Sequence, residues 1–165
     1  MFARHPFLFA LAVCVLAAAS EGILAGKGAM NWLATLRQPR FAPPPWAWII
    51  IGVFYYLICL LVLSRLLGIA AGDPFRNLSI ALMLALLVTN ALFNYVLFGR
   101  RNLLASVAIF VPYDLIAIAL TIALFLLDRT AALAFIPYVA YLIFANIWGY
   151  ELWRLNQPNP ARAHG

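Results

Sequence analysis

Three features of the sequence predict an all-α fold, an integral membrane bundle of five transmembrane helices with a structured first loop. Apolar residues make up 67% of the 165 and charged residues only 10%, with mean hydropathy +0.98. A soluble domain is closer to half apolar and a quarter charged, so lipid is the expected surroundings. Five apolar stretches, near 6–25, 45–67, 78–98, 103–127 and 131–153, each approach the roughly 20 residues that cross a bilayer core as a helix. Breakers separate the later ones: Gly72-Asp73-Pro74, Gly99-Arg100-Arg101-Asn102 and Asp128-Arg129-Thr130. Such short links predict antiparallel neighbours in one compact domain over 1–165, ending in a short polar tail, 154–165.

The first stretch imitates a secretory leader, with Arg4 and His5 ahead of it and Ala17-Ala18-Ala19 as a cleavage site. Its apolar run continues to Ala25, so a retained first helix is expected. Glu21 falls near the end of that helix, where it reaches the interface toward Lys27 as a structural residue. The next segment, from Asn31 to Tyr56, gathers Trp32, Phe41, Trp46 and Trp48 around Pro39 and the run Pro43-Pro44-Pro45, with Arg37 and Arg40 among them. Proline fixes the backbone and removes a donor, so the triple proline holds an extended approach to the second helix. Rings beside arginines suit a membrane–water interface, either as a plain aromatic belt or as a lid over a flat apolar ligand.

Inside the spans, Asn90 and Asn94 lie one turn apart on the third helix and share a face, either as glue between helices or as ligand contacts. Asp114, an acid near the middle of the fourth helix, is a functional candidate by default, protonated or paired with a polar group in the bundle interior. Cys14 and Cys59 sit in apolar runs without C-x-x-C spacing and read as buried free thiols. His5 and His164 are terminal and lack partners for a metal or catalytic site. Two small-xxx-small pairs, Gly22/Gly26 and Ala81/Ala85, offer close helix contacts.

The net charge of +6 does not point to nucleic acid, because its basic residues lie in loops between spans. Arg4, Arg65, Arg76 and Arg129 fall on one side; Lys27, Arg37, Arg40, Arg100, Arg101, Arg154 and Arg162 fall on the other. The positive-inside rule then puts the first loop and the C-terminus in the cytoplasm of a bacterial cell membrane. No Ser-His-Asp set, phosphate loop or His/Cys cluster supports an enzyme, and no cofactor is required.

The spacing W-x-x-x-L-x-x-P-x-F-x-P-P-x-W, from Trp32 through Leu36, Pro39, Phe41, Pro43 and Pro44 to Trp46, closely resembles the TspO/translocator-protein family. Asn90 to Gly99, Ile136-Pro137-Tyr138 opening the last helix and Trp153-Arg154-Leu155-Asn156 closing it resemble the same family in matching order. The resemblance implies a central pocket roofed by the first loop, binding porphyrin or haem for transport or sensing, in a homodimer joined through helix three at Ala81 and Ala85. The pocket residues it implies are Trp32, Leu33, Pro43, Pro44, Trp46, Gly52, Asn90, Phe93, Tyr141 and Ala145. Lys27, Arg37 and Arg40 are expected to meet the propionates of the ligand. Some family members promote porphyrin breakdown through pocket tryptophans. Here Gly52, Tyr141 and Phe93 stand where the family usually has Trp, which disfavours that activity. The sterol pattern of eukaryotic members is incomplete, since Tyr150 and Arg154 lack a preceding Leu or Val. A gated transporter and a partner-regulating signalling protein remain the alternatives.

Overall fold

The computed structural model describes residues 5–157. Arg4, Arg162 and His164, used above, lie outside the described residues. Within them are six helices and a π-helical turn: α1 (Pro6–Ala25), α2 (Ala29–Thr35), α3 (Pro45–Gly68), α4 (Pro74–Asn94, continued by the π turn Tyr95–Gly99), α5 (Leu103–Leu127) and α6 (Arg129–Leu155). All but α2 are long and apolar enough to span a membrane.

Local chemistry explains the boundaries. Proline opens α1, α3 and α4, where a missing N–H costs nothing. Asp73 caps α4 by accepting from the Phe75 and Arg76 amides, so this helix starts four residues before the expected 78. Asp128 caps α6 in the same way through the Thr130 and Ala131 amides, which starts that helix at Arg129. Pro137 therefore does not open the last helix, as the family resemblance had it, but lies inside it, as the span read from 131 implied. The capping aspartate sets the start, and an exposed proline is accommodated within a span.

The spans close a ring in the order α1, α3, α6, α5, α4 and back to α1, with α3 also touching α4. Alternating directions put the end of α1, α2, the start of α3, the π turn, the start of α5 and the end of α6 at one end, the loop end. At the opposite, far end, aliphatic side chains pack into a buried core. Val62, Leu63, Leu66, Leu86, Leu120, Leu124, Ala131, Ala132 and Phe135 are almost wholly buried there. Arg65 clasps Asp128 through Nε and Nη2 at 2.6 and 3.2 Å, and Arg76 Nε donates to the Leu66 carbonyl at 3.1 Å. These bonds tie α3 to α6 and to α4.

Two close approaches shape the loop end. The π turn, closed by the Arg100 amide on the Tyr95 carbonyl at 2.8 Å, brings Gly99 against α1. A Cβ on Gly99 would lie 2.7 Å from the Leu24 carbonyl oxygen. On α6, Gly149 leaves room for the Phe110 ring, which comes to 2.4 Å of where a Cβ would be. Cys14 and Cys59 are buried free thiols.

Candidate functional site

A cavity of about 310 Å³ opens within the ring at the loop end. Its floor is built by α3 and α6, where Tyr55 and Tyr138 meet with ring centroids 5.0 Å apart. Its walls are aromatic. Trp48 and Trp148 face each other at 4.6 Å, and Phe93 lies against Phe110 at 5.5 Å. Met30 and Leu33 of α2 and Phe98 of the π turn complete it on the loop side. The short helix in the first loop thus helps to enclose the cavity.

One strip of wall is polar. Glu21 on α1 accepts from Asn90 Nδ2 at 2.6 Å and from Asn94 Nδ2 at a long 3.4 Å. The Tyr113 hydroxyl reaches Asn90 Oδ1 at 3.4 Å and pairs with the Tyr138 hydroxyl. A hydrogen-bonded chain therefore crosses from α1 through α4 and α5 to α6. Beside it, the Tyr55 and Tyr56 hydroxyls are buried without a well-formed hydrogen bond, as is the Trp148 indole N–H. Asn146, also on the wall, donates to Asp114 Oδ2 at 2.6 Å, while Asp114 Oδ1 is buried and unpartnered.

Of the residues the resemblance assigned to a pocket, Leu33, Gly52, Asn90, Phe93, Tyr141 and Ala145 line the cavity. Trp32, Pro43, Pro44 and Trp46 do not. Trp32 packs edge-on to Phe98 at 6.3 Å with the Arg101 guanidinium 5.8 Å from its ring centre, so it braces the roof. Trp46 is exposed, on the outer face of the first turn of α3, and Pro43 and Pro44 lead the chain into that turn. Lys27, Arg37 and Arg40 are exposed and lie off the cavity wall.

Arg37 has a different role. Asn156 accepts from its amide at 3.0 Å and donates to its carbonyl at 3.0 Å, fastening the first loop to the end of α6. Asn156 in the closing motif is thus a latch for the loop. Glu21 corrects the sequence reading most sharply, since it lines the cavity with two asparagines and is not an interfacial partner of Lys27. Trp48, placed above only in the aromatic segment, and Trp148, not singled out at all, are also wall residues. Their helical positions alone did not tell which way they face.

These features define a class: a multi-pass membrane protein whose helices enclose an aromatic-walled cavity under a latched first loop. The TspO/MBR family model matches residues 10–154, and the chain belongs to that family. It is 30% identical to the "Tryptophan-rich protein TspO" of Archaeoglobus fulgidus, covering 90% of this chain and 96% of that one. It is 28% identical to a "Tryptophan-rich sensory protein" of Cereibacter sphaeroides, covering 95% and 96%. It is 26% identical to "Protein CrtK" of Rhodobacter capsulatus, covering 84% and 86%.

Proposed function

We propose that this membrane protein binds a hydrophobic tetrapyrrole, porphyrin or haem, in the cavity under its first loop, as a step in transport or sensing. The observation that carries the reading is the wall of rings, Trp48, Phe93, Phe110, Tyr141 and Trp148, around one enclosed space. Planar rings stack on planar ligands, and a few polar groups such as Asn90 orient them. At about 310 Å³ the cavity lies at the low end of the range for small-molecule sites. It suits the apolar edge of a macrocycle, leaving the propionates at the mouth for Lys27, Arg37 and Arg40. The tetrapyrrole is cargo or signal in this reading, and no resident cofactor is needed. The same reading places the protein in a bacterial cell membrane with the first loop inside, and pairs two copies through Ala81 and Ala85 of α4.

Fluorescence titration of the purified protein with protoporphyrin tests it. Saturable quenching is expected, weakened about twofold to tenfold in Trp148→Phe. It should be lost in Gly52→Trp, because a side chain there meets nothing within 4 Å and projects into free space. Folded protein that shows no saturable quenching overturns the proposal. Light-driven breakdown of the pigment is a second reading, favoured by one observation. Trp48 and Trp148 restore indoles to the wall that Gly52 and Tyr141 lack. Bleaching of bound pigment beyond a free-pigment control would establish it.

A further inference from the structure

We infer that the cavity also recognises a flat aromatic amine, a lipophilic organic cation whose ammonium is held by Glu21 among the tyrosine rings of the floor. The inference rests on the cavity alone and stands apart from the tetrapyrrole reading.

Glu21 is a carboxyl group inside a membrane span, facing a cavity, with no cationic partner. The ion pairs among the described residues are Arg65–Asp128 and Arg154–Glu151, and neither reaches it. The wall carries no Lys or Arg. Acids at such depth are costly and mark function by default. A carboxylate has about four acceptor sites; here two amide donors approach, one of them at 3.4 Å, and the Tyr56 hydroxyl lies close by. Room remains for a further donor from the cavity.

Independent groups point to the same occupant. Tyr55 is 6% exposed, lines the cavity and makes no well-formed hydrogen bond through its hydroxyl, which can accept from an ammonium. Its ring lies 4.9 Å from that of Tyr56 and 5.0 Å from that of Tyr138, giving a cluster of π faces beside the acid. Such faces attract a cation within about 6 Å, the more so where water is excluded. A second acid, Asp114, stands behind the wall residue Asn146. An anion is opposed by both carboxyls. A neutral alcohol satisfies one lone pair but leaves the charge uncompensated. A protonated amine answers the acid, the hydroxyl and the rings together, while its aromatic body fills the cavity beside the Trp48–Trp148 pair.

The bland role for Glu21 is to pin α1 to α4 through Asn90. Glu21→Gln keeps an acceptor for Asn90 and removes only the charge, which separates the two roles. The experiment is calorimetric titration in a nonionic detergent at neutral pH with 2-(2-naphthyl)ethylamine, 2-(2-naphthyl)ethanol and 2-naphthylacetate. The amine should bind wild-type protein at least roughly tenfold more tightly than the alcohol, with the acetate weakest. In Glu21→Gln the amine's advantage should collapse to about twofold or less, with the alcohol unchanged. Equal affinities for amine and alcohol on wild-type protein overturn the proposal without any variant. So does an amine preference that survives in Glu21→Gln. Gly52→Trp fills the cavity and should abolish amine uptake; uptake that persists there places the amine elsewhere and also overturns it.

Discussion

The far half and the loop half of this bundle are both apolar inside and reach opposite results. The far half is aliphatic. Leucine, valine and alanine pack around Phe135, and polar clasps at Asp128 and Leu66 hold the helix ends. The loop half is aromatic. Rigid rings of Trp48, Phe93, Phe110, Tyr141 and Trp148 cannot close over Gly52, and a space of about 310 Å³ remains. What closes the loop half is not packing on the axis but a roof, α2 braced by Trp32 and latched by Asn156. The cavity is the region where tight packing gives way to rings and a few polar groups.

That contrast predicts unequal costs for the same substitution. Phe135 is wholly buried in the far core, so Phe135→Ala leaves a new void and should cost about 3 kcal/mol. Phe93 already borders free space and loses chiefly its contact with Phe110, so Phe93→Ala should cost about 1 kcal/mol. Reversible unfolding in mixed detergent with increasing SDS measures both. Equal losses would mean that the two halves are packed alike.

The five spans were legible in the sequence, because hydropathy and the breakers at Gly72 to Pro74, Gly99 to Asn102 and Asp128 act locally. Helix α2 was not legible: its seven residues lie within a loop that reads as turns and prolines. The site was legible in part. Asn90 and Gly52 were found through family spacing, whereas Glu21 was assigned by its distance from the helix end. Distance along an axis says nothing of which face a side chain takes, and Glu21 faces inward. For the same reason the wall indoles are Trp48 and Trp148, while the conspicuous Trp46 points outward.

Two glycines sharpen the comparison within the loop half itself. Gly99→Ala puts a methyl 2.7 Å from the backbone oxygen of Leu24, which cannot rotate away, so α1 must shift. A cost of about 1–3 kcal/mol is expected. Gly52→Ala meets nothing within 4 Å and replaces a helical glycine, so it should stabilise by up to about 1 kcal/mol. The same SDS titration reads both signs. If Gly52→Ala destabilises as much as Gly99→Ala, the space beside Gly52 is filled.

The smallest effect belongs to the clasp at the far end. The Arg65 guanidinium hydrogen-bonds Asp128 and holds its carboxyl below the usual aspartate range, with the Ala131 and Thr130 amides adding to the shift against the opposing effect of burial. A carboxyl depressed in the folded state contributes stability that is present above its unfolded value, about 3.9. That contribution fades as pH falls through the lower folded value, where both states are protonated. Asp128→Asn isolates it, because asparagine caps a helix about as well as aspartate and only the charge is lost. The variant should be slightly less stable than wild type at pH 7. The deficit should shrink as the pH drops below about 4. It should also be small throughout, since Arg65 is 43% exposed and solvent screens the pair. Unfolding midpoints of both proteins across pH 3–7 check the sign; a deficit that grows on acidification would show that the clasp is not held by this charge.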